Sequence, residues 1–586
     1  MRECDLIMKG GVTSGVVYPF AITQLKDEYR LRKIGGTSAG AIAAAIAGAA
    51  EYRRQTGGGD AGFDAIGEMA STLGADLGEL FQPAPELAKP FDVLRSLVSG
   101  NTSPLRAVLS AYRAQAFAGL LIGGVPALIA ASQSAWGAAA FFALLALVLG
   151  VVFIVLALKQ VVTTLLPAAD FGLCPGKTQP GRSKAAFTDW IADQIDLVAT
   201  GAVTDSTQPL TVGDLERVGI EVAAMTSDLS TQRPYQLPLR ENRFWVRKSE
   251  MTRLFADRIV DYLCPEGDLK TQQHADEPDD LYPLKVGPDF PVLLIARMSL
   301  SFPGLISAVP LWRVDYDGIK DASGTYPMVR LLFSDGGVCS NFPVHLFDAP
   351  LPGRPTFGIK LGPYDKERNG DERVDLPQTR QQVEKLRTGK ITGIGGFVFA
   401  ILNTAKDWND TLQSQLPGYA ERIVEIRLDA AEGGMNFEMD ANTVTKIQGY
   451  GKDAGTRLLE AFASNDHDGF DQHRFQRATS VLPALEDTLV AFHKGFESRP
   501  ADTALSYDKI MTDLDTRVST SISKTERREV LLPLMEKLSA LGAEIDAART
   551  DPDRKSVTET GTPQQDAGLR LVASADRRPK SARGTA

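Results

Sequence analysis

The sequence predicts an α/β fold, a three-layer α/β/α sandwich around a mainly parallel sheet. Three observations indicate it. Short strand-like apolar runs alternate along the chain with helical runs, which is the pattern of a sheet flanked by helices. Two glycine-rich turns, at residues 9–15 and 36–40, each lead from a strand-like run into a helical one. A stretch of 45 residues without charge, Ala114 to Leu158, interrupts this pattern and predicts an inserted helical hairpin.

The second glycine-rich turn reads G-x-S-x-G and predicts a nucleophile elbow. An apolar strand-like run, Leu31 to Ile34, precedes it, and a small-residue helical run, Ala39 to Ala50, follows. A serine in such a turn sits in a strained backbone conformation, and larger residues two positions away would collide with it. The helix that begins near Ala39 directs its positive end at the place where an oxyanion would form. The elbow motif consists of Gly36, Thr37, Ser38, Ala39 and Gly40, with Ser38 as the candidate nucleophile.

The first glycine-rich turn follows a short strand-like run, Cys4 to Met8. A phosphate-binding Walker loop needs Gly-Lys-Ser/Thr, which is absent, and Val12 breaks the dinucleotide-binding pattern G-x-G-x-x-G. Free backbone N–H groups shortly before a serine elbow are better suited to an oxyanion hole. We therefore predict an oxyanion loop with Gly10, Gly11 and Gly15.

A third motif, Ser334 to Gly337, reads Ser-Asp-Gly-Gly and follows the strand-like run Met328 to Phe333. Asp335 is well placed there to orient and deprotonate a serine. Asp-Gly is also a common turn, so this motif depends on the other two for its interpretation.

Together the motifs resemble the patatin-like phospholipases, which use a Ser–Asp dyad. The resemblance assigns the nucleophile to Ser38 and the proton acceptor to Asp335, within the dyad motif that continues through Gly336 and Gly337. It also covers Ala296 to Gly304, which is similar to the family's segment before the dyad aspartate. It implies a lipid acyl hydrolase that needs no metal or cofactor. The chain departs from the family at Val12, where a third glycine is usual, and at Ser14, where a basic residue is usual.

Two alternatives remain open at this stage. The chain has five histidines, and His345 is the one that lies near a motif, so a Ser-His-Asp triad would have to use it. The departures at Val12 and Ser14 also permit a catalytically inactive, membrane-bound scaffold on the same fold.

The uncharged stretch predicts two membrane-spanning helices at about 114–131 and 136–158. The second has 23 apolar or glycine residues and reaches about 34 Å as a helix, which is enough for a bilayer core of about 30 Å. Arg106 and Arg113 precede the hairpin and Lys159 follows it, so both ends are expected on the cytoplasmic side. A buried helical pair, or one span with a re-entrant first half, are the alternatives.

The expected organisation is a catalytic domain in two parts, 1–110 and 166–465, then a helical appendage at 466–548 and a disordered tail at 549–586. A net charge of −10 argues against nucleic acid as a partner, and the four scattered cysteines suit a reduced compartment. No signal peptide is expected at Met1 to Lys9. We therefore expect a multi-pass protein of a bacterial inner membrane with a cytoplasmic catalytic domain that acts on membrane lipids. No motif identifies a protein partner.

Overall fold

The computed structural model describes residues 1–11, 13–98, 103–203, 208–271, 277–322, 324–377, 418–429, 431–434, 439–463, 469–499, 504–514 and 522–551, with the single residues 391, 397, 400, 404 and 436. The strands are β1 Arg2–Met8, β2 Tyr29–Gly36, β3 Gly172–Cys174, β4 Glu221–Asp228, β5 Arg233–Leu237, β6 Trp245–Arg247, β7 Leu281–Pro283, β8 Gly304–Ile306, β9 Val309–Val314, β10 Met328–Asp335, β11 Thr356–Pro363, β12 Val374–Asp375 and β13 Ile423–Leu428.

The helices of the first part of the chain are α1 Tyr18–Leu25, α2 Ala39–Arg53, α3 Ala61–Asp76, α4 Ala88–Val98, α5 Pro104–Ala111, α6 Arg113–Ser132, α7 Trp136–Gln160, α8 Leu166–Ala168 and α9 Phe187–Thr200. Those that follow are α10 Val212–Arg217, α11 Lys248–Leu254, α12 Asp257–Leu263, α13 Val292–Ser299, α14 Lys366–Asn369, α15 Ala441–Phe462, α16 Gly469–Glu497, α17 Tyr507–Asp513, α18 Lys524–Glu526 and α19 Leu532–Thr550.

A large mixed sheet organises the chain. Its order is β12-β13-β11-β1-β2-β4-β10-β9-β6-β7, and β5 pairs with β4. The five strands from β13 to β4 are parallel to one another, whereas β10 runs antiparallel to β4 and to β9. Strands β9 and β10 follow each other in the chain and pair along the whole length of β9, from Val309 opposite Phe333 to Val314 opposite Met328. The parallel sheet that the sequence predicts is therefore the centre of a wider mixed one.

The two faces of the sheet are covered differently. Along β1, Cys4, Leu6 and Met8 point into the main core, while Ile7 points to the opposite face, as the alternation of a strand requires. Helices α1, α2, α3, α9, α13 and α15 contact one another over the main core. In the described part of the chain, Phe342, Val344 and Phe347 pack against Ile7 on the opposite face.

The uncharged stretch forms an antiparallel pair, α6 and α7, close to the predicted bounds. Both helices are long and apolar enough to cross a membrane. A Cβ atom at Gly119 would lie 2.5 Å from the Cα atom of Gly150, so the backbones touch there. Sixteen large apolar side chains between Phe117 and Leu156 are 41–74% exposed. The alternative of a pair buried inside the domain does not fit this exposure.

Four helices, α16 to α19, occupy the described part of residues 466–548. Helices α16 and α19 pack closely, and His493 Nδ1 lies 3.0 Å from Ser539 Oγ between them. Arg477 of α16 also pairs with Asp348, at 2.9 Å, and so joins this region to the segment that follows β10. The predicted tail lies outside the described residues from position 552 onward.

The hairpin contact generates the first prediction. Gly119→Ala should lower the thermal unfolding midpoint of the protein in mild detergent, because the added Cβ meets the backbone of α7, an overpacking that typically costs about 1–3 kcal/mol. Gly124→Ala is the matched control, since nothing lies within 4 Å of a Cβ atom at that position of the same helix. Equal midpoints for the two variants would contradict the close packing.

Candidate functional site

Ser38 lies in a sharp turn between β2, which ends at Gly36, and α2, which begins at Ala39. Its backbone has φ 56° and ψ −125°, outside the conformations that non-glycine residues ordinarily adopt. Such strain persists only where the surroundings impose it, and it is common at functional sites. The residue is 3% exposed.

Close backbone contacts impose this turn. A Cβ atom at Gly36 would lie 2.7 Å from the Met8 carbonyl oxygen and 2.5 Å from the carbonyl carbon of Gly40. One at Gly40 would lie 2.9 Å from the Lys9 carbonyl oxygen. Neither position leaves room for a side chain, as the G-x-S-x-G pattern predicts.

The glycine-rich loop lies against this turn. A Cβ atom at Gly10 would lie 3.3 Å from Ser38 Cβ, and one at Gly15 would lie 2.8 Å from Ala39 Cβ. Two of the predicted oxyanion donors are already in use: Gly10 N–H donates to the Asn341 carbonyl (2.8 Å), and Ala39 N–H donates to the Gly11 carbonyl (3.2 Å). Gly11 N–H has no acceptor within the described part of the chain.

The two departures from the family pattern have different outcomes. Val12 lies outside the described residues. Ser14 is 7% exposed, and its hydroxyl accepts a hydrogen bond from Gly434 N–H (3.2 Å). The hydroxyl and the N–H of Thr13 both donate to the Gly434 carbonyl at 3.1 Å. A contact across more than 400 residues of sequence thus holds the loop at Ser14, the position where the patatin-like pattern has a basic residue.

Asp335 ends β10 beside the elbow. It lies opposite Thr226 on β4, two residues beyond Ala224, which pairs with Gly36. Strand β4 therefore extends past the end of β2, and β10 returns along it to the level of Ser38. The carboxylate accepts a hydrogen bond from Gly337 N–H (2.6 Å).

The turn after Asp335 also touches the elbow. A Cβ atom at Gly336 would lie 2.9 Å from Thr37 Cγ2, and the Thr37 hydroxyl donates to the Ser340 carbonyl (3.1 Å). The elbow, the glycine loop and the Asp-Gly turn thus meet at one end of the parallel strands.

A third segment, α13 and the turn after it, holds the backbone of both candidate catalytic residues. Ser299 Oγ accepts a hydrogen bond from Ser38 N–H (3.0 Å), and the Ser301 carbonyl accepts one from Asp335 N–H (2.9 Å). The buried Arg297 guanidinium donates to Ser301 Oγ (2.6 Å) and to the Ser307 carbonyl (2.9 Å). Burial lowers the pKa of Arg297 to about 9. The resemblance covers the Ala296 to Gly304 stretch, but the sequence does not predict these hydrogen bonds.

His345 is exposed in a 3₁₀ turn, Val344–Leu346, and makes no hydrogen bond with Ser38 or Asp335. It lies ten residues beyond Asp335, on the segment that packs against Ile7. Among the described residues, Asp335 therefore places a carboxylate beside the elbow, and the His345 imidazole is hydrogen-bonded to neither candidate.

An apolar pocket of about 90 Å³ opens beside the elbow. Ala39, Ile42 and Ala43 of α2 form one wall. The other walls include Leu77, Leu80 and Phe81 from the chain before the hairpin, and Phe187, Trp190 and Ile191 from the chain after it.

The fold and the site define a mixed α/β protein with a strained serine elbow beside an Asp-Gly turn. No family model matches the chain. It is 34% identical over 634 aligned positions to the RpoH suppressor of Rhizobium meliloti (strain 1021), which covers 92% of this chain and 95% of that protein. The chain belongs to the same family as that protein.

Two further similarities are more limited. The uncharacterized protein YqhO of Bacillus subtilis (strain 168) is 39% identical over 92 residues, 16% of this chain and 27% of YqhO. The crystal structure of VipD from Legionella pneumophila covers 94% of this chain and 87% of that one, at 12% identity and a TM-score of 0.29. That TM-score is too low to support an argument.

The support of Ser38 by Ser299 is testable. Ser299→Ala should lower the free energy of unfolding by about 1–3 kcal/mol, because it leaves the buried Ser38 N–H without its acceptor. Ser307→Ala is the control, since Ser307 is 2% exposed and its hydroxyl makes no hydrogen bond in the described part of the chain. Thermal or denaturant unfolding of both variants measures the difference. A smaller loss at Ser299 than at Ser307 would show that the contact does not hold the elbow.

Proposed function

We propose that the protein is a membrane-anchored lipid acyl hydrolase with a patatin-like α/β/α catalytic domain. The observation that carries this proposal is the meeting of three features at one end of the parallel strands: the strained Ser38, the Asp335 turn and the glycine loop. The apolar lining of the pocket beside the serine supports it, since the part of an acyl chain next to the ester needs an apolar site.

The proposed reaction proceeds in two steps. Ser38 Oγ attacks the ester carbonyl carbon while Asp335 accepts the hydroxyl proton, and collapse of the tetrahedral intermediate expels the alcohol, which takes that proton. The acyl group is then bonded to Ser38. Asp335 accepts a proton from water, the hydroxide attacks the acyl-enzyme, and the fatty acid leaves as Ser38 regains its proton. Neither step needs a metal or cofactor.

The oxyanion forms beside the glycine loop and the first turn of α2. Gly11 N–H is a donor that has no acceptor among the described residues. Rotation of the Gly11 peptide would release Ala39 N–H from the Gly11 carbonyl and add a second donor. Each donor of this kind contributes about 10²–10³ in rate.

Membrane anchoring is proposed for α6 and α7. Their apolar side chains are exposed along the whole pair, and no other part of the described chain covers them. Arg113 and Lys159 lie at the two free ends, on one side of the pair, which predicts a cytoplasmic location for those ends. The substrate is then a lipid of the same membrane, proposed to be a bacterial inner membrane.

An inactive scaffold is the second candidate, and one observation favours it: Gly10 and Ala39 N–H groups are occupied by backbone carbonyls. The first experiment below separates the two proposals. A triad through His345 has no comparable support, because that side chain forms no hydrogen bond with Ser38 or Asp335 in the described part of the chain.

The dyad is tested by reaction of the membrane fraction with a fluorophosphonate probe and by hydrolysis of a short-chain ester. Ser38→Ala should abolish labelling. Ser38→Ala and Asp335→Asn should each lower the rate of ester hydrolysis by about 10⁴-fold or more, as removal of a nucleophile or its base does in serine hydrolases. His345→Ala is the control and should retain full activity. An unlabelled, folded wild type would favour the scaffold. Loss of activity in His345→Ala, with unchanged stability, would favour the triad over the dyad.

Anchoring is tested by alkaline carbonate extraction. Val148→Arg places a charge near the middle of α7, where insertion is disfavoured by about 2.5–3.5 kcal/mol. That variant should be depleted from the carbonate-resistant membrane pellet. Val162→Arg is the control, because the same change past the end of α7 lets the side chain reach the polar interface. Release of the wild type by carbonate would overturn the membrane proposal.

A further inference from the structure

A basic groove lies where the chain enters the hairpin. Helices α4 and α5 pack together and lead into α6, and an open cavity of about 630 Å³ lies between them. Its charged lining residues are Lys89, Arg95 and Arg113, with Asp92 as the acidic one. Three cations therefore face one carboxylate. The groove shares no lining residue with the pocket beside Ser38.

Lys89, one of the cations that line the groove, contacts neutral neighbours. Lys89 Nζ lies 5.9 Å from the centre of the Tyr112 ring. The side-chain amide of Gln115 is oriented so that its nitrogen donates to the Tyr112 carbonyl (3.2 Å). The side-chain oxygen of Gln115 then accepts a hydrogen bond from Lys89 Nζ (3.3 Å). Within the described part of the chain, neither Lys89 nor Arg113 forms an ion pair with a carboxylate. Their charge is therefore available to an anion from outside the protein.

The position of the groove indicates the source of that anion. Helix α6 starts at Arg113 and has 20 residues, so it spans about 30 Å, the thickness of a bilayer core. Arg113 then lies at the edge of that core, at the level of the lipid headgroups. Leu105 and Leu109, one turn apart on α5, are 69% and 42% exposed. An exposed apolar face beside basic residues is typical of a helix that lies in the membrane interface.

We propose that this groove binds the phosphate-bearing headgroup of an anionic membrane lipid, at a site separate from the catalytic pocket. The proposal rests on the membrane anchoring proposed above and not on the hydrolytic activity. The phosphate lies between Lys89 and Arg113, and the acyl chains extend along α6 into the bilayer. The bound lipid fixes the depth and the tilt at which the hairpin meets the cytoplasmic domain.

Native mass spectrometry of the detergent-solubilised Ser38→Ala protein tests this, because lipid is retained without being hydrolysed. The probes are phosphatidylglycerol, which is anionic, and phosphatidylcholine, which is zwitterionic. Lys89→Gln with Arg113→Gln should weaken phosphatidylglycerol retention roughly 30-fold, about fivefold for each charge removed. Phosphatidylcholine retention should not change. Arg106→Gln with Lys159→Gln is the matched control, since it removes two exposed cations from the same side of the hairpin but outside the groove.

Three outcomes would overturn the proposal. Equal loss in the two double variants would mean that general surface charge attracts the lipid, and no loss in either would mean that the groove does not bind it. Displacement of phosphatidylglycerol by inorganic phosphate at constant ionic strength would identify a site for small anions. Absence of Ser38 reactivity in the wild type would overturn the hydrolase and leave the groove result valid.

Discussion

The carbonyl group of Met8 is the contact on which the rest of the site depends. It ends the central strand β1, accepts the Thr37 N–H (3.3 Å) and lies 2.7 Å from where a Cβ atom at Gly36 would be. The elbow is therefore built directly on the end of β1, and close backbone contacts surround its serine. The Lys9 carbonyl that follows accepts a hydrogen bond from the Tyr18 hydroxyl, so the loop after β1 is held from the other side as well. The strain at Ser38 is stabilised by the packing of the whole parallel centre of the sheet.

The insertion of the hairpin leaves the parallel part of the sheet intact, because the chain before the hairpin and the chain after it lie side by side. Ala84 N–H, before the insertion, donates to the Leu173 carbonyl after it (3.0 Å). The returning segment pairs as β3 with β8, and Arg297 donates to the Pro175 carbonyl (3.0 Å). Asp170 is 1% exposed and pairs with Arg253 and Arg330, which join the hairpin exit to α11 and β10. The segment that supports Ser38 and Asp335 thus also receives the end of the hairpin.

Local patterns in the sequence predict individual strands, turns and helices. They do not predict the contacts between elements that are far apart in the chain. The elbow turn, the strand before Asp335 and the bounds of α6 and α7 follow from glycine placement and apolar periodicity, which act over a few residues. The antiparallel direction of β10 follows from its pairing with β9 and β4, which no local pattern specifies. The bond from Gly10 to Asn341 and the support of Ser38 by Ser299 join residues hundreds of positions apart. Both depend on the assembled sheet, and so could not be read from the chain.

The arrangement of the pocket gives the insertion a physical role in the proposed function. Leu80 and Phe81 of the pocket wall precede the hairpin, with α4 and α5 between, and Phe187 and Trp190 follow it, beyond β3. In the proposed function, the hairpin tethers the domain that contains these walls to the membrane. Moving a fatty-acyl chain from lipid into water costs about 0.8 kcal/mol for each CH₂ group, which is roughly 12 kcal/mol for a long chain. In the proposed function, anchoring keeps the pocket near its lipid substrate, so that less of the acyl chain has to enter water and less of that cost is incurred.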